Sequence, residues 1–472
     1  MASLTTTLRL RPQLTCALAS LVLGALATVL LKPGWLFWDS STQWQWARRI
    51  ATEGLPRAFS DYDIQSQWPV MNTLVKVPFC LHPDGGVLYT WLQATALYFG
   101  VLSLARALAG RWSYPLAAGT LLLCLWPNVI NIAVFHSSDT LAAVMVCVLI
   151  SVAVDRLRGD DREQRSQGTQ IARLVLPLLL GVVLTALRLN AVTFLAFLAP
   201  AVIWCSVRPG RFRVAVTLIG TAVCLILPVQ LTRQLDRTAY FKTTASEGLA
   251  LKLWMQDAQY PDNVAVRGVL PDIVRQRVTT IDPATYTLGR WTQQSLSSIN
   301  WDRVHTDREL TGRLVVAYGR SFLEDPERWL AANAETYAAW LGIRSPLPNL
   351  EIGRYDIPPP WPELRMEPTV VRAWFLRAET WSNGYGFSSP ALWLVFCLVS
   401  AGAAYARRRS SQELKGFGLT LILSLVYAFP MVIFSATPEV RYHFPFILPM
   451  ATSVIASAVL SVSPCGPRAA AA

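Results

Sequence analysis

Residues 13–42 read QLTCALASLVLGALATVLLKPGWLFWDSST, and this stretch decides the class of fold. From Gln13 to Leu31 there is no charged residue. A bilayer core about 30 Å thick is crossed by around 20 apolar residues in helix. Lys32, Pro33 and Gly34 end the run, and Trp35, Phe37 and Trp38 follow, rings that suit the boundary between lipid and water. Asp39 and then Ser40, Ser41 and Thr42 open a polar segment. The run has no small-residue cleavage site after it and is long enough to be kept as an anchor.

The rest of the chain repeats this pattern. Of 472 residues, 53% are hydrophobic and only 15% are charged, and the mean hydropathy is +0.35. A soluble domain carries about 25% charged residues, which excludes an ordinary cytosolic enzyme. The same ruler marks ten spans, near 13–32, 87–105, 112–130, 138–155, 173–189, 191–207, 213–231, 389–406, 416–435 and 444–462. The third is bracketed by Pro115 and Pro127. The fifth and sixth are divided only by Arg188, Leu189 and Asn190, which would also fit a kink in one long apolar region. The expectation is an all-α polytopic membrane protein of about ten transmembrane helices. It divides into a transmembrane module of about seven spans at 1–230, a mainly helical extracytoplasmic segment at 231–388, and three further spans at 389–472.

The net charge of +12 does not point to nucleic acid, because Arg outnumbers Lys 37 to 5 and clusters in short segments between apolar runs. With a cytoplasmic N-terminus, the inside segments hold seventeen positive residues, among them Arg106, Arg111, Arg156, Arg158 and Arg407 to Arg409. The short loops on the opposite side hold only Arg188 and Arg441, with five more in the longer 32–86 loop. Both termini are therefore expected in the cytoplasm of a bacterial cell, with the two large segments outside the inner membrane. The eight cysteines form no Cys-x-x-Cys pair, and seven lie in or beside apolar runs, so they read as small buried hydrophobes.

In this topology four loops bring unusual polar residues to the outer ends of spans: Asp39; His136 to Asp139; Arg188 and Asn190; and Glu439, Arg441, Tyr442 and His443. Ionisable groups at membrane depth are costly and mark functional sites. Plainer roles are available to each. Asp39 and Asp139 would serve as helix caps, Arg188 and Arg441 would snorkel to lipid phosphates, and His443 would simply pack. The segment from Ser40 to Glu53 carries an apolar stripe that includes Trp46 and Ile50, as in a helix lying on a membrane surface.

These residues resemble a known family. Trp38-Asp39-Ser40-Ser41-Thr42-Gln43-Trp44-Gln45-Trp46-Ala47 and Gln67-Trp68-Pro69-Val70-Met71-Asn72 look like the first outer loop of the GT-C glycosyltransferases. These multispanning enzymes use polyprenyl-phosphate-linked sugars, the dolichyl-phosphate-mannose mannosyltransferases among them. Ser138-Asp139 resembles the family's start of the fourth span, Arg188-Leu189-Asn190 its Arg-x-Asn element, and Arg441-Tyr442-His443-Phe444-Pro445 its late Arg-Tyr-x-x-Pro signature. The resemblance implies sugar transfer from a polyprenyl-phosphate donor to a hydroxyl on a glycan, lipid or protein, at the extracytoplasmic face. Asp39 is the expected general base. Arg188 and Arg441 are the expected binders of the donor phosphate, since a guanidinium fork matches two phosphate oxygens. Lys76 or Lys242 would assist, Asp139 and His136 would orient Arg188 or the acceptor, and Asn190 and Tyr442 would help to bind the donor. One base in a single displacement would invert the anomeric carbon. No second carboxylate directly follows Asp39, and Asp61 and Asp63 lie more than twenty residues on, so the sequence assigns no cofactor and leaves a divalent metal open. The alternative class is a transporter or flippase of a lipid-linked saccharide. A membrane acyltransferase with His136 as base is a third reading.

Overall fold

The computed structural model describes residues 12–36, 38–54, 70–157, 167–188, 191–206, 212–235, 240–281, 293–307, 309–343, 364, 369–406, 411–434 and 440–462. Among them all regular structure is helical, and the extended backbone is confined to two isolated bridges, Trp35 with Phe135 and Val274 with Ile299. The helices that matter below are α1 (Pro12–Leu31), α2 (Trp38–Glu53), α3 (Val70–Leu74), α4 (Gly85–Ala109), α5 (Tyr114–Cys124), α6 (Pro127–Ala133), α7 (Ser138–Leu157), α8 (Gln167–Leu187), α9 (Ala191–Ser206) and α10 (Arg213–Leu235). After these come α11 (Tyr240–Gln259), α12 (Leu310–Glu324), α13 (Pro326–Leu341), α14 (Val370–Gly384), α15 (Pro390–Ala406), α16 (Ser411–Phe434) and α17 (Phe444–Val462).

The first span shows how the apolar helices are used. On α1, Cys16, Ser20, Leu23, Ala27 and Leu31 are buried at helical spacing, while Leu18, Val22, Leu26 and Val29 are exposed. A helix apolar on both its packed and its open face belongs in lipid. Its packed face meets α4 so closely that a Cβ on Gly24 would lie 2.8 Å from the backbone nitrogen of Thr95. Small residues permit such backbone approach between membrane helices, where dispersion rather than water exclusion drives association. The core continues through α4, α7 and α17, where Leu104, Val146, Ile150 and Leu448 are fully buried.

The expected count of about ten spans does not hold. Among the described residues five helices are long and apolar enough to cross a membrane: Gln13–Leu31, Gly85–Ala109, Ser138–Leu157, Glu413–Phe434 and Phe444–Val462. A sixth arises if α5 and α6 count as one span, but the pair is bent by 67°. Pro127 opens α6, with no backbone N–H to continue the ladder, and the bend falls at Leu125 and Trp126. The expected spans at 173–189, 191–207, 213–231 and 389–406 correspond to apolar stretches of only 10–17 residues, Val175–Leu187, Ala191–Trp204, Arg213–Pro228 and Pro390–Ala403. The helices that carry these stretches run to 21, 16, 23 and 17 residues. Arg188 also marks a true break, since α8 ends at Leu187 and α9 begins at Ala191.

Between α1 and α2 the chain crosses the segment that links α6 to α7. Trp35 N donates to Val134 O at 2.9 Å, and His136 N donates to Trp35 O at 3.0 Å. Gly34 makes the crossing possible. Its φ is +108°, and a Cβ there would sit 2.5 Å from Val134 O and 2.7 Å from both His136 Nε2 and Thr90 Oγ1.

The late segment clamps this crossing from one side. Arg372 on α14 donates to Leu31 O and Lys32 O, and its guanidinium lies 5.0 Å from the centre of the Trp35 ring. Glu379 accepts from Asn131 Nδ2, and Asn128 Nδ2 donates to Asn383 Oδ1 at 2.7 Å, so both buried amides of α6 are met from α14. Burial pushes the Glu379 carboxyl up to about 7. Farther back, α11, α12 and the turns between them gather Leu253, Trp254, Ile273, Ile299, Leu314 and Tyr318 into a core of their own. That core reaches the membrane helices through Lys252, whose ammonium donates to Val432 O and Ile433 O at the end of α16. These are carbonyls that a helix C-terminus leaves unpaired. Trp254 and Trp340 are buried and fill the fold. Helix α13 is capped by the Asp325 carboxylate on Arg328 N at 3.0 Å.

Gly34→Ala is expected to lower the thermal midpoint of the purified protein, because backbone strain of about 1–3 kcal/mol adds to a clash with a carbonyl that cannot move. A second expectation concerns pH. The Glu379 carboxyl rises from 4.5 to about 7 in the folded protein, so the native state keeps a proton that the unfolded chain has lost. Stability should therefore fall as pH rises from about 4.5 through 7 and level off above. Glu379→Gln should abolish that component, worth about 3 kcal/mol. Thermal unfolding of both proteins across this pH range checks it, and parallel curves would refute it.

Candidate active site

One end of the helix bundle collects most of the sequence-predicted residues. Asp139 stands in the first turn of α7 and is buried, with 2% of its side chain exposed. It does not cap the helix. Ser137 does, its Oγ accepting from Thr140 N at 3.2 Å. That leaves the Asp139 carboxylate to pair with Arg188 Nη2, and the Arg188 side chain is itself only 13% exposed. Arg188 follows the last residue of α8, and its guanidinium lies 5.2 Å from the centre of the Tyr442 ring, in the single turn before α17. Three separate elements thus supply one carboxylate–guanidinium–phenol cluster. A guanidinium has five N–H donors in a fixed fork, and the Asp139 carboxylate sets the direction of that fork.

Behind Tyr442 the stack continues. Trp340 from α13 lies nearly parallel to it, with centroids 6.3 Å apart, and His443 meets Trp340 edge-on at 4.8 Å. His443 is fully buried, and burial pushes its imidazole down to about 3. It is therefore neutral and packs, in line with the plainer of its two expected roles.

His136 belongs to a neighbouring network. Its Nδ1 accepts from the indole N–H of Trp44 on α2 at 3.0 Å, which leaves Nε2 to carry the proton and face Thr90 Oγ1 on α4 at 2.6 Å. Ser40 Oγ donates to His136 O at 2.6 Å. Burial, with the Lys76 ammonium nearby as a smaller cause, pushes the imidazole down to about 3. With both ring nitrogens committed, His136 holds α2 in place. A base with its lone pair already accepting a hydrogen bond is poorly set up for acyl transfer.

The backbone of Asp39 lies in the first turn of α2, next to Ser40, whose hydroxyl reaches His136 O. The side chains of Asp39 and Arg441, and the whole of Asn190, lie outside the described residues, as do Glu439, Asp61 and Asp63 and the side chain of Lys242. Among the described residues no three His, Cys, Asp or Glu side chains come together as ligands for a metal ion.

Two contributors were not singled out as a unit in the sequence. Lys76, fully buried, donates to Gln43 Oε1 at 2.8 Å and to Asn72 O at 3.0 Å, and lies 5.3 Å from the Tyr89 ring centre. Burial pushes its ammonium down to about 7. Asn72 Nδ2 in turn donates to Leu187 O at 3.2 Å. The i, i+4 spacing of Asn72 and Lys76 in the segment returning to α4 was the available signal. A small solvent-open hollow is lined by Trp44, Arg48, Phe79, Cys80, His82 and Leu364.

A buried ion pair that loses one partner leaves an uncompensated charge, at a cost of about 3–5 kcal/mol. Asp139→Asn should therefore destabilise the protein markedly. The double variant Asp139→Asn with Arg188→Gln should recover most of the loss, as read by thermal unfolding in detergent; additive losses would mean that the pair is not coupled. Compared with protein-family models the chain matches none, and no curated protein matches it.

Proposed function

We propose that this chain is a membrane glycosyltransferase of GT-C-like type. It moves a sugar from a polyprenyl-phosphate donor to an acceptor hydroxyl at the extracytoplasmic face of a bacterial inner membrane, with both termini cytoplasmic. The observation that carries the reading is the buried Arg188 guanidinium, aimed by Asp139 and backed by Tyr442, at the end of the bundle where α2 brings the backbone of Asp39. The resemblance of the 38–47, 138–139, 188–190 and 441–445 motifs to that family adds to it.

The chemistry follows from these parts. The Asp39 carboxylate accepts the proton of the acceptor hydroxyl as its oxygen attacks the anomeric carbon. The bond from that carbon to the phosphate oxygen breaks, and polyprenyl phosphate departs with the electron pair. Charge grows on the leaving phosphate, and Arg188 with Arg441 stabilises it. A guanidinium already fixed by a carboxylate needs no reorganisation at that moment, which is the condition under which such stabilisation is largest. One displacement inverts the anomeric configuration. The prenyl tail stays in lipid, and the acceptor is a glycan, lipid or protein; no nucleic acid takes part.

The test is sugar transfer in membranes supplied with polyprenyl-phosphate sugars, comparing wild type with Asp39→Asn. A general base contributes roughly 10²–10⁴-fold, so the variant should lose at least about 10²-fold in rate at equal protein level. Transfer at wild-type rate in the variant would remove Asp39 from its role. Transfer in neither protein, together with uptake of a lipid-linked saccharide into vesicles, would favour a carrier.

A further inference from the structure

We propose that Asn72 is a positioning residue for Arg188, and that Lys76 holds Asn72 to the helix that carries Asp39; this rests on the glycosyltransfer reading above. Leu187 ends α8, and its carbonyl is one of the last four that a helix leaves without an internal donor. Asn72 Nδ2 meets it at 3.2 Å across 115 residues of sequence. The peptide fixed in this way is the one that joins Leu187 to Arg188, so the bond sets the direction in which the Arg188 side chain leaves the backbone. The N–H of the same peptide donates to Leu184 O at 2.8 Å, so the last helical bond and the Asn72 amide hold this plane from opposite edges.

The other half of the link runs the opposite way. Lys76 Nζ donates to the Asn72 carbonyl and to Gln43 Oε1, and Gln43 lies one turn along α2 from Asp39. Gln43, Asn72 and Lys76 are all buried, at 3%, 1% and 0% exposure. Hydrogen bonds in such surroundings are stronger than at a surface, and an unmet group costs more. A continuous chain therefore runs from α2 through Gln43, Lys76 and Asn72 to the peptide before Arg188. The base and the phosphate binder sit on elements far apart in sequence, and this chain fixes their separation. A misplacement of about 1 Å in such a constellation costs up to about 10²-fold in rate.

Asn72→Asp removes the donor and sets a carboxyl oxygen against Leu187 O, and Asn72→Ser shortens the side chain so that it no longer reaches. Each variant is compared with wild type, alone and combined with Arg188→Lys. In the sugar-transfer assay, each single variant should lower kcat about 10-fold or more with little change in KM for the donor. In the Arg188→Lys background the further loss should shrink to about 2-fold, because the residue it positions is already altered. Fully additive losses would overturn the proposal. A second measurement does not depend on activity. Backbone amide exchange at 188–193 should speed up in both variants, while exchange within α4 stays as in wild type. Unchanged exchange at 188–193 overturns the positioning role even if transfer is lost. If the wild-type protein transfers no sugar, the functional reading fails, and the exchange result still decides the structural claim.

Discussion

The short crossing of residues 33–36 over residues 134–136 is the constraint on which the rest of the candidate site depends. Two backbone hydrogen bonds hold it, and only a residue without a Cβ fits at Gly34. Once Trp35 is paired with Val134 and His136, the imidazole of His136 stands between the Trp44 indole and the Thr90 hydroxyl. That fixes α2 against α4. It also fixes the start of α7, and so the depth at which Asp139 emerges. Arg372 and Glu379 then bring α14 down onto the same crossing and the neighbouring α6. A sequence separation of about a hundred residues is closed there by groups that are nearly all buried.

The polar groups around this crossing divide by what they do. The imidazoles of His136 and His443 are neutral and enclosed, and they organise aromatic neighbours. Glu379 is met by amide donors rather than by a cation, which suits a carboxyl that keeps its proton near neutral pH. Arg188 and Asp139 form the charged pair of this end of the bundle. A guanidinium is the cation most readily kept charged in such a place, because its pKa lies far above any physiological pH.

Much of the local structure was legible in the sequence. The helix after Asp39 was visible in its apolar stripe and begins two residues earlier than Ser40, with Trp44, Ala47 and Ile50 of that stripe buried. The membrane class was visible too, because composition and run length reflect one property, transfer into lipid. The number of spans was not. Run length alone does not show where a helix stops, and Arg188 and Pro127 stop helices for different reasons: the first by standing in a break held by Asn72 and Asp139, the second by lacking an N–H. Asp139 had two readings, a helix cap or a residue that orients Arg188, and the sequence alone did not choose between them. Ser137, Ser138 and Asp139 are all good caps, and the choice among them depends on Arg188, forty-nine residues away. Pairings at that distance leave no periodic trace in a single sequence.

The close packing of α1 on α4 has a consequence for the lipid around them. A Cβ on Gly24 would lie 2.8 Å from the backbone nitrogen of Thr95, so no acyl chain enters between the two helices at that level. Leu18, Val22, Leu26 and Val29 are exposed on the other face of α1. Lipid therefore wets the first span on one side, and a larger residue at Gly24 would open a seam for acyl chains to fill.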